Sequence, residues 1–420
     1  MKKAEIISVG TELLMGQVAN TDAQFISALL PGAGFGVYYH TVVGDNKDRL
    51  AQCFKKALER SDLVVLTGGL GPTEDDLTKN TVAEALGLKL VIDEETVKDL
   101  ENYFARSGRK MSSSNMSQAY FPEGAAILKN KCGTAPGCMI NKSVNGISKI
   151  VVLLPGPPSE LKPMFEDEVL PVLEKDAEEV LKSKFFDIIG VPESEVESRL
   201  SDIISGRTNP TAATYVKEGI VTVRVSACGT SDTASALIEK DAEVIRERFG
   251  KNLAGENGQS LQETVVRLCE KHKLSVASAE SCTGGMISEL ITSVPGASNV
   301  IRSSVVVYSN EAKINILGVD PELINKYGVV SEQTALAMAE RTAVLCGSDI
   351  GVSTTGNAGP GTLENKPAGL VYVGLYFRGK TAVKECLIRG SREHIRRRVS
   401  NTALNMVREA VLGIGEDNDR

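Results

Sequence analysis

The chain has no tryptophan, only three histidines, and few aromatic residues, 5% of its 420. His40, His272 and His394 stand apart from any cysteine pair, which excludes a conventional structural zinc centre and argues against a Ser–His–Asp triad. The eight cysteines (Cys53, Cys132, Cys138, Cys228, Cys269, Cys282, Cys346, Cys386) form no CxxC pair, a usage that fits a reducing compartment rather than a disulfide framework. No apolar run reaches the roughly 18 residues that span a bilayer, and the opening MKKAEIISVGTEL lacks a long apolar core. These absences predict a cytoplasmic protein with no membrane partner. Basic excess is missing too: 47 Lys and Arg face 54 Asp and Glu, a net charge of −7, which argues against a nucleic-acid partner.

What is present is an ordinary globular composition, 42% hydrophobic and 24% charged. A chain this long outgrows one core, so two to three domains are expected. Strand signals at 4–9, 36–43 and 63–66 alternate with helix signals at 22–30 and 49–59, and the pattern runs on to a strand at 149–154 that PGPP ends. Such βαβ alternation predicts a mostly parallel sheet with helices on both faces. From about residue 173 the scale shrinks to short charged helices and a polar strand, IVTVRVSA, which reads as a small α+β module over 173–250. GKNLAGENGQS is Gly/Asn-rich and polar, so 251–260 reads as a linker. A helix at 261–272 and a strand at 274–279 open a third α/β unit that extends to 415. The terminal GEDNDR reads as a solvated acidic tail.

Two cassettes carry chemistry. In TGGLGPTEDDLT (67–78) a buried strand ends in glycines, whose bare backbone admits phosphate oxygens at the carboxyl edge of a parallel sheet. Gly68, Gly69 and Gly71 supply that approach, Thr73 a hydroxyl, and Asp75 and Asp76 hard oxygen ligands suited to a divalent cation. The same residues also fit a Gly/Pro turn before an acidic helix start. In the second cassette, AESCTGG (279–285), Ser281 follows a strand and precedes a helix, which would set it among backbone donors able to stabilise an oxyanion. Lys313, after the strand VVVYS, is the base available where histidine is not, since a desolvated lysine can activate a serine. A Ser N-cap and a surface lysine are the alternative. Cys282 reads as packing, with a reactive thiol as the other possibility.

SVGTELLMGQVANTDAQF (8–25), VVGDN (42–46), TGGLGPTEDDLTKNTVA (67–83), QAYFPEGA with NKCGTAPG (118–137) and LPGPPSEL (154–161) together resemble a MoaB/MogA-like domain in its CinA-family version, covering 1–172. That resemblance implies ADP-ribose pyrophosphatase activity with a divalent cation (Mg, Mn or Co). Glu12 and Asn20 would contact ribose or phosphate, residues 68–73 would cradle phosphate, and Asp45 and Asp76 would hold metal or hydroxyls. Asp22 stands where the family commonly has Asn. GVPESEVESRL (190–200) is similar to the family's KH-like insert. No GXXG loop with basic flanks accompanies it, so a structural or dimerisation role is expected.

AESCTGG, GAS (296–298), SVVVYSNEAK (304–313), GVVSEQTA (328–335), STTGNAGPG (353–361), KPAGLVYVGL (366–375) and GSREHIRRRVSNTAL (390–404) resemble the PncC-type nicotinamide mononucleotide amidohydrolase. The resemblance implies release of ammonia from nicotinamide mononucleotide without a cofactor. Ser281 would be nucleophile or water-orienting group and Lys313 its base. Ser298, Tyr308 and Thr355 would orient the amide or ribose, with Thr283 and Gly284 lining the site and Gly356 and Ala358 close to the ring. Arg396 would grip the 5′-phosphate, because its planar fork meets phosphate bidentately. Thr362 and Asn357 depart from the family pattern and bear on loop shape. The fold class implied is two α/β domains separated by a small α+β KH-like module, and a homodimer is expected. A role as a nucleotide- or molybdopterin-like-ligand-binding or competence accessory protein with little catalysis is disfavoured, because Ser281, Lys313 and Asp76 are all retained.

Overall fold

The computed structural model describes every residue except Ser107, Arg109, Asp419 and Arg420, with the side chains of 415–418 also outside the described set. The acidic-tail reading of GEDNDR therefore lies outside the described residues. The chain divides into two compact units, Met1–Lys182 with Ala227–Leu237, and Ser183–Ser226 with Ile238–Arg420. Among the described residues no helix is long and apolar enough to cross a membrane.

The first unit is built on a six-stranded sheet. β1 (Lys2–Val9), α1 (Thr21–Leu29), β2 (Phe35–Val43), α2 (Lys47–Arg60), β3 (Leu63–Thr67), α3 (Thr78–Ala85), β4 (Ala126–Leu128), β5 (Gly137–Val144) and β6 (Ile147–Leu154) follow in chain order. The sheet runs β2-β1-β3-β6-β5-β4. Its first four strands are parallel and its last two pairings antiparallel, so only β5 is reversed. Alternate residues feed two cores: Ile6, Val65 and Val152 pack with Ile26 of α1, while Ile7, Val64 and Val151 pack with Leu50 and Phe54 of α2. Burial on both faces explains why β3 is apolar from Leu63 to Leu66. Polar residues must then collect beyond its carboxyl end, at Gly68.

β7 (Val180–Ile189), β8 (Thr211–Lys217), β9 (Ile220–Gly229) and β10 (Leu253–Glu256), most of whose residues fall in the second unit, form a four-stranded sheet of order β8-β9-β7-β10, with the helix α4 (Ser231–Phe249) between β9 and β10 in sequence. The region expected as a linker is ordered instead. β10 pairs antiparallel with β7, Ala254 is 1% exposed, and the buried Arg408 donates to the carbonyls of Leu253 at 3.1 Å and Lys251 at 2.6 Å. Its polar composition reflects turns around one short strand, not a free connection.

The remainder comprises α5 (Leu261–Lys271), β11 (Val276–Glu280), α6 (Met286–Thr292), β12 (Ile301–Val306), α7 (Asn310–Asn315), α8 (Glu332–Cys346), β13 (Ile350–Gly356), β14 (Leu370–Phe377), β15 (Lys380–Leu387) and α9 (Arg392–Asn418). Its sheet order is β12-β11-β13-β14-β15, with β11 parallel to both neighbours and the last two pairings antiparallel. α5 and α9 close one face over Val276, Val352 and Val373, and Met338 of α8 packs with Ala279 on the other. The carboxyl ends of β11 and β12 share one edge; Ser281 follows the first directly, and Lys313 lies on α7 after the second.

Candidate functional site

In the first unit, the loops after β1, β3 and β6 enclose a cavity of about 370 Å³. Its walls include Gly68, Gly69, Gly71, Gln118 and the carboxylates of Glu12, Asp45, Asp75, Asp76 and Glu160. Gly68 has φ 92°, and a Cβ there would stand 2.2 Å from the Val9 carbonyl, so no side chain fits. Asp45 Oδ2 accepts from the Thr11 amide at 3.0 Å and its hydroxyl at 2.8 Å, and Asp76 Oδ2 accepts from the Thr73 amide at 2.8 Å and hydroxyl at 2.5 Å. These bonds aim both carboxylates while Oδ1 of each carries no hydrogen bond among the described residues. Asn20 is not a wall residue; its side chain caps α1 through the Ala23 amide at 3.1 Å and donates to Ser8 at 3.0 Å.

Among the described residues no three His, Cys, Asp or Glu side chains converge as a metal-binding group. The donor chemistry still suits Mg²⁺, which is commonly held by one or two carboxylates together with phosphate oxygens rather than by a full protein cage. Beneath the floor, burial pulls the Lys79 ammonium down to about 8, against the opposing influence of Cys138 and Asp76.

In the second unit, Lys313 Nζ lies 3.3 Å from Ser281 Oγ and donates to the Val307 carbonyl at 3.0 Å. Lys313 is 2% exposed and Ser281 8%. Burial holds the lysine below its ordinary range, outweighing the upward pull of Cys282, Glu364 and Glu311. Lys313 sits one turn into α7, whose N-cap Ser309 accepts from the Ala312 amide at 3.1 Å. That cap turns the lysine back beneath the β11 loop. Cys282 belongs to the core, and burial pushes its thiol up to about 12, so it packs rather than reacts.

The helix start beside Ser281 differs from the expected oxyanion site. Glu280 is fully buried, and its carboxylate accepts from the amides of Gly285 (2.9 Å), Ile287 (3.1 Å) and Ser288 (2.9 Å). Hydroxyls of Ser288 at 2.8 Å and Ser278 at 3.2 Å complete its shell. The carboxylate takes the donors that the sequence pattern had left open to substrate.

Other predicted residues divide. Thr283 and Thr354 share a hydroxyl bond of 2.7 Å in the interior, and Thr355 donates to the Val329 carbonyl. Tyr308 is 59% exposed, and its hydroxyl accepts from Arg392 at 2.6 Å, while Arg392 also holds the Gly359 carbonyl at 2.8 Å. Arg396 spends Nε and Nη2 on the Thr283 carbonyl, at 3.2 and 2.6 Å, beside Gly284. Those bonds fix the loop that carries Ser281, while Nη1 makes no hydrogen bond among the described residues. Arg392, one helical turn earlier, was missed, although its i, i+4 spacing to Arg396 placed it on the same face of the last helix. Ser298 is placed away from Ser281. It precedes β12, and because β11 and β12 run parallel it lies at the opposite sheet edge from Ser281. Gly356 and Ala358 face the interior: a Cβ on Gly356 would stand 2.5 Å from Val371 Cα, and Ala358 is in the core. Asn357 ties the following loop, donating to the Gly361 carbonyl at 2.7 Å and accepting from the Gly359 amide at 2.9 Å.

The chain matches three domain families in series. Residues 5–175 match a probable molybdopterin binding domain, 183–255 the damage-inducible protein CinA KH domain, and 258–411 the CinA C-terminal domain. A putative competence-damage inducible protein of Alkaliphilus oremlandii is 46% identical over 412 residues, 98% of this chain and 99% of that protein. A CinA-like protein of Kosmotoga olearia is 47% identical with the same coverage. A solved structure of the protein CinA with unknown function from Thermoplasma acidophilum is 37% identical, covering 42% of this chain and 98% of that one, with a TM-score of 0.37. The chain belongs to the CinA family.

Proposed function

We propose that the C-terminal domain is an amidohydrolase that converts nicotinamide mononucleotide to nicotinate mononucleotide and ammonia. The observation that carries this reading is the buried Lys313 amine 3.3 Å from Ser281 Oγ. With the amine neutral, Lys313 accepts the Ser281 proton as Oγ bonds to the carboxamide carbon. The same proton passes to the departing nitrogen, which leaves as ammonia. Water then attacks the acyl carbon, restoring the Ser281 hydroxyl and releasing the carboxylate. Arg392 and Tyr308 form a polar rim suited to the ribose phosphate. The test is ammonia release from nicotinamide mononucleotide by the purified full chain, compared with Ser281→Ala. Equal rates, or none with the wild type, overturn it.

We further propose that the N-terminal cavity takes a phosphorylated ribose nucleotide such as ADP-ribose and hydrolyses its pyrophosphate. Glycines that admit phosphate and carboxylates around one cavity support this reading. Asp45 and Asp76, with Asp75 beside them, would hold a divalent cation. Bound there, it would neutralise pyrophosphate charge. The protein's own part is to seat the phosphates on the 68–71 backbone and to aim the carboxylates through Thr11 and Thr73.

A further inference from the structure

One wall of the N-terminal cavity ends in a polar group that folding leaves unsatisfied. Gln118 is completely buried, yet it lines the cavity. Its backbone is fixed, because Lys79 Nζ donates to the carbonyls of Ser117 at 3.1 Å and Gln118 at 2.9 Å. Its Nε2 donates to Thr134 Oγ1 at 3.2 Å. Its Oε1 is buried and has no hydrogen-bond partner among the described residues. Exchanging the two amide atoms does not cure this, since the Thr134 hydroxyl serves either one and the other is then orphaned. A buried amide group left unmet is unfavourable, and a ligand that meets it recovers that free energy on binding.

The neighbouring space narrows what the ligand is. Thr134 also lines a second cavity of about 780 Å³, whose walls include Tyr103, Arg106, Lys129 and Asn130. The Gln118–Thr134 pair therefore stands where the two cavities share a wall. A sugar hydroxyl both donates and accepts, so it satisfies the orphaned amide atom in either orientation, whereas an ionised phosphate oxygen only accepts and leaves Oε1 unmet.

Resting on the N-terminal reading above, we infer that Gln118 reads the sugar of the ligand: with phosphates over the 68–71 loop, its side-chain amide bonds a ribose hydroxyl at the junction of the two cavities. An amino group on a base is the other donor such a ligand carries, and ribose 5-phosphate, which has no base, separates the two.

The experiment is calorimetric titration of the full chain with ADP-ribose, ribose 5-phosphate and inorganic pyrophosphate, for wild type, Gln118→Met and Thr134→Val. Gln118→Met should weaken ADP-ribose and ribose 5-phosphate about tenfold and leave pyrophosphate within twofold. Its Tm should not fall, because the exchange removes an orphaned polar group, whereas a structural glutamine would lower Tm when lost. Unchanged sugar-phosphate binding, equal weakening of pyrophosphate, or loss for ADP-ribose but not ribose 5-phosphate overturns the inference. If Gln118→Met does not fold, Thr134→Val decides: weaker ribose 5-phosphate with pyrophosphate unchanged supports it, and no change refutes it. A wild type that binds none of the three probes refutes instead the N-terminal reading on which it rests.

Discussion

Replacing Lys313 with Met keeps the length of the stem, removes the amine, and isolates the base from its surroundings. Lys313 has two polar contacts, Ser281 Oγ at 3.3 Å and the Val307 carbonyl at 3.0 Å, and it is 2% exposed. Loss of a positioned base lowers kcat by about 10²–10⁴. That range corresponds to roughly 3–5 kcal/mol of barrier. KM for nicotinamide mononucleotide should change much less. In the wild type kcat should rise with pH as Lys313 loses its proton, with a midpoint below the ordinary 10.5 because burial disfavours the charged form. The variant should lose that rise. Stability moves the other way. The folded state binds its lysine proton more weakly than the unfolded chain, so the native fold gains stability as pH climbs from the lowered value through 10.5. Below that window the buried ammonium is a burden that Met removes, so Tm near neutrality should hold or increase. Steady-state ammonia release across pH, with a thermal melt of each protein, supplies all of these readouts. A variant that keeps kcat within about threefold together with the same alkaline rise refutes the assignment of Lys313 as the base.

Asp76→Ala should abolish divalent-dependent ADP-ribose hydrolysis and leave ammonia release from nicotinamide mononucleotide intact; parallel loss of both activities in a folded variant would show one site assigned twice. Asp22, 8% exposed with Oδ1 unpartnered among the described residues, is pushed up to about 6 by burial despite the opposing Lys162. Its folded value exceeds the usual 3.8, so the native state loses stability as pH rises from about 4 to 6. Asp22→Asn should therefore raise Tm at pH 7 by removing a penalty of up to about 3 kcal/mol, with the gain vanishing below pH 4; a pH-independent change refutes this. Arg408→Met should lower stability by roughly 3 kcal/mol in denaturant melts, because the carbonyls of Lys251 and Leu253 lose a charged donor inside the fold. A fragment beginning at residue 261 lacks those carbonyls and should melt below the full chain's second unit.

The parts legible in the sequence were those fixed by short-range chemistry. An apolar run such as LVVL is a strand buried on both faces, and Gly68 after it lies where backbone must pass the Val9 carbonyl. The Ser281 and Lys313 pairing was legible because each followed a strand of a parallel pair, so both loops emerged at the same edge. Ser298 carried no comparable signal: its motif precedes a strand instead of following one, and only the register shows which edge it occupies. The 251–260 segment misled because composition records the solvation of turns. It does not record that Arg408, more than 150 positions later, needs its carbonyls. Arg396 and Arg392 were equivalent in pattern, and side-chain direction alone decides that one braces the Thr283 loop while the other reaches Tyr308.

The least legible feature was the contrast between two buried ionisable groups at the same sheet edge. Glu280 and Lys313 are both enclosed, and a desolvated charge is unfavourable unless its hydrogen bonds are met. Glu280 has five donors, three of them backbone amides at the start of α6, so its carboxylate serves as a fixed anchor for the Ser281 loop. Lys313 has a hydroxyl and one carbonyl among the described residues, and burial lowers its pKa, favouring the free amine more than in water. The same enclosure makes one residue a structural anchor and the other a base, because the chain supplies donors in number to the first and few acceptors to the second. Both residues come at or just after the end of a parallel strand, and the tertiary count of hydrogen-bond partners is not written in either motif.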